Sequence, residues 1–377
     1  MNFIEMLIPF FIFFIVIEVV FNLFYKKNFY SIPDTISDMS LGIISRLTDI
    51  FVLILMMHIY ENISLKYSLS SFLPSKLFHF TFQRDILENI QALASWLTIF
   101  ILLDFLFYWS HRFSHEISIL WASHVAHHSS QEYNLTVALR QSFLRNAITL
   151  CFYMVFAMLN VPWTVLLLTD ALNRFYQFWV HTRFFNRLPH WIEYLFVTPS
   201  HHRVHHARNP KYLDKNYAGV FIFWDRIFGT FEEEKEEPVY GIVKPLKTFN
   251  PIRANLHVFG EMISLFRAPI SISLKFKALI SKPDYMSNIN MSMPNQRSSS
   301  ALAPKIHYVS LSNLQKIVSI VILIVLVTLS LALIRFSTKI DLQFALIFYF
   351  GLLGGYGLLG NYLDRKTGIG RVPQIVV

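Results

Sequence analysis

Along this chain, runs of apolar residues long enough to cross a bilayer alternate with short polar stretches rich in histidine. A spanning helix needs roughly 20 consecutive apolar residues. The pattern predicts one over Leu7 to Tyr25, a second over Leu41 to Tyr60 with Arg46 and Asp49 near one end, and a third over Ala92 to Trp109 that is interrupted by Asp104. Phe143 to Asn160 and Pro162 to Val180 read as a hairpin around Asn160, Val161 and Pro162, and Ile317 to Ile334 with Leu342 to Leu359 read as a terminal pair. The expected fold class is therefore all-α: a polytopic membrane helical bundle with a helical, histidine-bearing cap on its cytoplasmic side. Four regions follow: membrane spans and a loop over 1–90, a histidine-rich catalytic unit over 91–260, a linker over 261–310 that includes SMPNQRSSS, and a membrane hairpin with its tail over 311–377. Gly351, Gly354, Gly355, Gly357 and Gly360 would let the last span approach another helix closely, in this chain or in a second copy.

Composition agrees with the pattern. The chain is 54% hydrophobic and 15% charged, against about 25% charged in ordinary soluble domains. Its net charge of +9 has no nucleic-acid motif beside it, and attraction to anionic membrane lipids accounts for basic residues scattered among loops. Lys26 and Lys27, the basic stretch from His181 to Lys316 and the tail with Arg365, Lys366 and Arg371 fall on one side of a seven-span count, which places the histidine-rich stretches in the cytoplasm. Lys66, Lys76 and Arg84 fall on the other. The expected location is multi-pass: the cytoplasmic membrane of a bacterium or the endoplasmic reticulum of a eukaryote. The first apolar run lacks a basic start and a small-residue cleavage site, so it reads as a retained anchor. The one cysteine, Cys151, leaves neither a disulfide framework nor a thiolate cluster.

Eight of the fifteen histidines fall in three boxes: His111 and His115 in HRFSH, His124, His127 and His128 in HVAHH, and His202, His205 and His206 in HRVHH. Neutral imidazoles at this density suit iron, zinc or copper. On a helix, residues four apart share a face, whereas adjacent ones point about 100° apart. HxxHH can therefore serve two ions from one turn, and eight donors exceed the roughly three or four that one zinc uses. Two metal ions fit the count. Asn173, Gln177 and His181 follow at four-residue steps along one helix face. Polar residues in apolar helices face the bundle interior, so the stripe points either at a neighbouring helix or at the metal cavity. The second reading makes Asn173 and Gln177 candidate catalytic residues and His181 a ninth metal ligand. Asp104, two turns before His111, is placed to orient a ligand histidine.

HRFSH, HVAHH and HRVHH on a multi-span chain resemble the fatty acid hydroxylase and sterol desaturase superfamily of membrane di-iron oxygenases. SSQEYNLTVALRQS at 129–142 and TPSHHRVHHARNPKYLDKNYAGVFIFWDRIFGTF at 198–231 narrow the resemblance to the alkylglycerol monooxygenases. The resemblance implies two Fe ions held by His111, His115, His124, His127, His128, His202, His205 and His206, with His181 beside them. It implies O2 as co-substrate, a lipid substrate drawn from the bilayer, and an external electron donor, tetrahydrobiopterin or another reductant, since the chain has no Gly-rich dinucleotide fingerprint. Glu116 follows the first box as it does in those enzymes and is a candidate to orient a ligand or meet the pterin. Asn216, Tyr217 and the Asp225–Arg226 pair are expected to pack beneath the metals. The implied reaction hydroxylates a lipid C–H, with O-alkylglycerol ether cleavage to a fatty aldehyde first. Hydroxylation or desaturation of a sterol, carotenoid or fatty-acyl chain is the alternative within the superfamily. A metal-binding membrane transporter is the alternative outside it, and would spread its ligands through several spans at mid-membrane.

Overall fold

A computed structural model describes residues 3–69, 80, 86–290 and 305–371. Sixteen α-helices follow one another among them. The first half holds α1 (Phe3–Phe24), α2 (Ile32–Tyr67), α3 (Ile86–Glu116), α4 (Ser118–Trp121), α5 (Val125–His128), α6 (Arg145–Tyr153), α7 (Val155–Met158) and α8 (Trp163–Trp179). The second holds α9 (His190–Leu195), α10 (Pro199–His206), α11 (Phe223–Ile227), α12 (Pro251–Arg267), α13 (Ile272–Ile280), α14 (Pro283–Asn290), α15 (Asn313–Phe336) and α16 (Leu342–Thr367). No strand is present among the described residues beyond two isolated bridges, Phe196 with Phe221 and Ala207 with Tyr240.

Among the described residues, five helices are long and apolar enough to cross a membrane: α1, α2, α3, α15 and α16. The expected hairpin over 143–180 does not form two helices of spanning length. It breaks into α6, α7 and the 17-residue α8. The charges within it explain the difference: Arg174 donates from Nη1 to Asn146 Oδ1 at 2.7 Å and from Nε to Asp170 Oδ2 at 2.7 Å, partners that must sit inside the bundle because unpaired charge in hydrocarbon is costly. The expected linker over 261–310 carries the end of α12 and all of α13 and α14, while its segment 291–304, with SMPNQRSSS, lies outside the described residues. So do Lys76 and Arg84.

Local chemistry sets several helix ends. Asn250 caps α12 by accepting from Ile252 N and Arg253 N, with Pro251 fixing φ in the first turn. Ser312 and Gln315 form a capping box on α15, and Gly368 closes α16 in the left-handed region at φ 67°. The terminal pair packs inward: Gly360 of α16 meets Asn250 so closely that an added Cβ would lie 2.4 Å from its Cα, and Gly355 faces Leu326 of α15. Close approach within the chain thus accounts for those two glycines. Leu47 of α2, Leu323 of α15 and Tyr356 of α16 share one core. A second core joins α2, α3, α6 and α8 through Tyr60, Leu103, Tyr153 and Leu166. α1 lies against α8 through Phe11 and Phe178, ring centroids 4.5 Å apart. The histidine-bearing segments sit where these layers meet.

Candidate metal centre

Nine histidines converge in two adjoining groups. His111, His115, His124, His128 and His205 form one, and His127, His181, His202 and His206 form the other; within each, one ring nitrogen per residue lies within 4.8 Å of every other. The HxxHH boxes interlock. HVAHH gives its four-apart pair, His124 and His128, to the first group and His127 to the second, while HRVHH gives His202 and His206 to the second and His205 to the first. α3 adds His111 and His115, and the turn after α8 adds His181. The groups share a wall: the rings of His128 and His206 stack at 4.4 Å.

Nitrogen pairs face each other at short range: His111 Nε2 and His124 Nε2 at 3.0 Å, His124 Nε2 and His128 Nε2 at 3.1 Å, His181 Nε2 and His202 Nε2 at 3.0 Å. Two nitrogens bound at right angles to one ion at about 2.1 Å would lie about 3.0 Å apart. Backbone carbonyls fix the tautomers by accepting from the opposite nitrogen: His111 Nδ1 donates to Tyr217 O at 2.7 Å, His127 Nδ1 to Arg140 O, His181 Nδ1 to Gln177 O and His205 Nδ1 to Lys215 O, the last three at 2.9 Å. Each Nε2 then carries a lone pair aimed inward. His115 Nε2, His202 Nδ1, His205 Nε2 and His206 Nε2 are buried with no hydrogen-bond partner among the described residues. Orphaned buried polar atoms are costly. Burial pushes His181 down to about 3 and His205 to about 4, and holds His124, His127, His128, His202 and His206 well below the ordinary imidazole value. A crowd of neutral, inward-facing imidazoles is the donor set for two first-row transition-metal ions.

The supporting residues differ from expectation at several points. Asp104 touches no ligand histidine. Its carboxylate accepts from Asn173 Nδ2, Val220 N, Phe221 N and Trp224 Nε1, so it ties α3 to the loop after α10. Asn173 in turn accepts from Gln177 Nε2, and Gln177 meets His181 through its backbone. The stripe therefore runs from Asp104 to the metal centre as a chain of contacts. Glu116, the residue after His115, pairs with Arg112 at 3.1 Å and does not line the cavity. Asp225 and Arg226 are not a pair: Asp225 accepts from Tyr217 N, Ala218 N and Thr230 Oγ1, while the Arg226 guanidinium lies over Phe231 at 3.8 Å. His201 stays out of both groups, its Nδ1 accepting from Thr198 N at the start of α10.

Sequence reasoning missed the carbonyls of Arg140, Lys215 and Tyr217. Asp214 and Asn216 adopt positive φ, 59° and 55°; the Lys215 carbonyl between them meets His205, and the Tyr217 carbonyl just after them meets His111. Asn and Asp tolerate this region better than other residues with side chains, which is the one signal the stretch offered. It also missed Arg140, whose buried side chain donates to Asp38, Ala126 O and Ser129 and so holds the HVAHH turn.

A cavity of about 220 Å³ leads to the centre. Leu7 and Phe11 of α1, Ile43 of α2 and Val327 and Leu331 of α15 wall its apolar part, and His111, His127, His181 and His202 stand at its polar end. Helices long enough to span a bilayer, an apolar cavity between them and two imidazole groups at its end define a class: an integral membrane protein with a paired metal centre.

Residues 96–230 match the fatty acid hydroxylase family model. The chain is similar to the alkylglycerol monooxygenases of Homo sapiens, 38% identical over 74% of this chain and 58% of the relative, and of Xenopus tropicalis, 35% identical over 75% and 60%. The Danio rerio alkylglycerol monooxygenase is 48% identical over 41% of this chain and 34% of the relative. The chain thus spans about 60% of the length of the first two. No solved structure matches it.

Proposed function

We propose that this protein is a membrane di-iron monooxygenase that cleaves O-alkylglycerol lipids. The observation that carries the reading is the position of the imidazoles: four of them end an apolar cavity that opens among spanning helices, and a lipid tail can enter it without crossing water at about 0.8 kcal/mol per CH2. The nine histidines would hold two iron ions, which, when bound, supply O2 activation and removal of hydrogen from a lipid C–H. The chain's own residues bind and orient. Apolar helices α1, α2 and α15 hold the tail, and its depth of insertion selects the carbon that reacts. Hydroxylation beside the ether oxygen gives a hemiacetal, which collapses to a fatty aldehyde and a glycerol derivative. Asn173 and Gln177 act as positioning residues for His181, with no proton to move. The two electrons come from a tetrahydropterin or another external donor, and the centre faces the cytoplasm with the loops around Lys235 and Lys244.

The test is aldehyde release from an alkylglycerol by iron-loaded protein, with tetrahydropterin present or omitted. Aldehyde that depends on pterin and O2 is expected. Aldehyde formed equally well on a ferredoxin-type reductant removes the pterin, and hydroxylated sterol or acyl products in place of aldehyde move the protein to the alternative chemistry. A cysteine placed at exposed Lys244 should label from the cytoplasmic face only.

A further inference from the structure

The polar end of the cavity holds more positive charge than the metal centre needs. Besides histidines it is lined by Arg46, Arg145 and Arg174, from α2, α6 and α8. Two of these guanidiniums have carboxylate partners: Arg46 meets Asp49 at 2.7 Å and Arg174 meets Asp170 at 2.7 Å. Asn146 joins the two pairs by donating to both Asp49 oxygens and accepting from Arg174. Arg145 has none. It makes no ion pair among the described residues; it donates from Nη1 to the neutral Gln141 Oε1 at 2.7 Å and lies 5.8 Å from the Phe107 ring centroid. Burial and the like charge of Arg174 destabilise its cation.

A guanidinium left without a counter-charge between apolar helices is costly unless it coordinates something. The cluster carries one positive charge in excess, and metal ions bound nearby would add to it. Its fork of donors matches a phosphate or carboxylate, which it can hold by two hydrogen bonds. We propose that Arg145, flanked by Arg174 and Arg46, binds the anionic headgroup of the lipid substrate, so that the preferred substrate carries a phosphate on its glycerol. The inference rests on the lipid-oxygenase reading for the occupant of the cavity. With the phosphate on Arg145 and the tail between α1, α2 and α15, the atoms near the ether lie beside the imidazoles that end the cavity, and the headgroup becomes the stop that sets which carbon reacts. Arg145 is in this sense a specificity-determining residue.

Binding is measured on the full chain in detergent, with a 1-O-hexadecylglycerol 3-phosphate and with the uncharged 1-O-hexadecylglycerol. The wild type should bind the phosphate lipid at least about tenfold more tightly, the scale of hydrogen bonds to a charged group. Arg145→Gln should bring that ratio close to one, and Arg145→Lys should keep part of it, because a point charge remains while the fork is lost. An unchanged ratio in Arg145→Gln overturns the proposal. So does a wild-type ratio near one, which decides the matter even if the glutamine variant fails to fold. Inorganic phosphate should displace the phosphate lipid only at far higher concentration; equal potency would take the tail out of the cavity and overturn it too. Turnover is scored separately. Preferential binding with oxidation of neither lipid would leave this site standing and remove the proposed reaction, and oxidation of both without preference would do the reverse.

Discussion

The two imidazole groups differ in size and in what they face. The group of five takes two of its members from α3, and only His111 of its members lines the cavity. The group of four takes nothing from α3, and three of its members, His127, His181 and His202, line the cavity. Each interlocks with the other through one histidine of an HxxHH box. The difference would separate roles: the larger group would offer a bound ion five imidazoles, while the smaller would offer four, three of them turned to the cavity.

Removing one histidine from each group breaks or sharpens this distinction most. His202→Ala leaves the smaller group three imidazoles, only two of them lining the cavity, so metal content should fall from two ions per chain toward one. Turnover should fall by more than about 100-fold, since second-shell losses alone cost about 10 to 100-fold in affinity or activity. His115→Ala leaves the larger group four, and both ions should be retained. Metal analysis of the two variants side by side is the measurement. Equal metal loss in both would erase the asymmetry.

A pH titration of metal-free protein should show the next largest effect. The folded-state values of His181 and His205 are depressed, to about 3 and about 4, below the ordinary value near 6.5. Between about pH 6.5 and pH 4 the unfolded chain takes up protons that the folded chain does not, so stability falls as pH falls. Each such histidine contributes about 1.4 kcal/mol per pH unit across that window. Thermal melting between pH 7.5 and pH 5 should show the loss, and bound metal should blunt it, because the ion competes with the proton for the same nitrogen. A melting temperature that is flat or rises on acidification contradicts the neutral, inward-facing arrangement.

How much of this was legible in the sequence depends on which force fixes each part. The nine histidines could be read because their spacing is local: the helical period alone separates His127 from its four-apart neighbours His124 and His128. The swap, in which HRVHH sends its pair to the opposite group from HVAHH, depends on how α10 packs against α5, and no local period records that. The long spans could be read from hydropathy, but the hairpin over 143–180 could not. Its apolar stretches resemble spans until Arg174 finds Asn146 and Asp170. The carbonyls behind His111 and His205 left almost no trace, because any residue supplies a carbonyl and only the positive φ of Asp214 and Asn216 marks the turn.

Two substitutions outside the ligands probe the groups at smaller cost. A Cβ on Gly219 would sit 2.8 Å from Asp104 Oδ1 and 3.0 Å from Gln177 Nε2, and Gln177 steers His181. Gly219→Ala should therefore destabilise by about 1 to 3 kcal/mol and weaken retention of the ion in the group of four. Asp214→Ala keeps a Cβ at φ 59°, next to the carbonyl that steers His205, and loses the Lys282 contact at 2.7 Å; about 1 to 2 kcal/mol is expected, with Asp214→Gly costing less because only the partly exposed ion pair is lost. Chemical denaturation with metal analysis separates the two. A Gly219→Ala protein that loses metal from the larger group first would reverse the assignment of supports.

The smallest effect is expected at Glu116, the residue that the first box singles out by adjacency. Its carboxylate is about a quarter exposed and bonded to Arg112, which also donates to Tyr108. A partly exposed pair of this kind is worth about 0.2 to 1 kcal/mol. Glu116 has no contact with the histidine groups, and it is not among the residues lining the cavity. Glu116→Gln should keep both metal ions and change kcat by less than about twofold, with KM for the lipid unchanged. A rise in the apparent KM for the electron donor alone would place the donor's docking face beside α3 and the larger group. Electrons would then enter through the five-histidine ion while substrate meets the four-histidine one, and the division between the groups would become a division between reduction and oxidation.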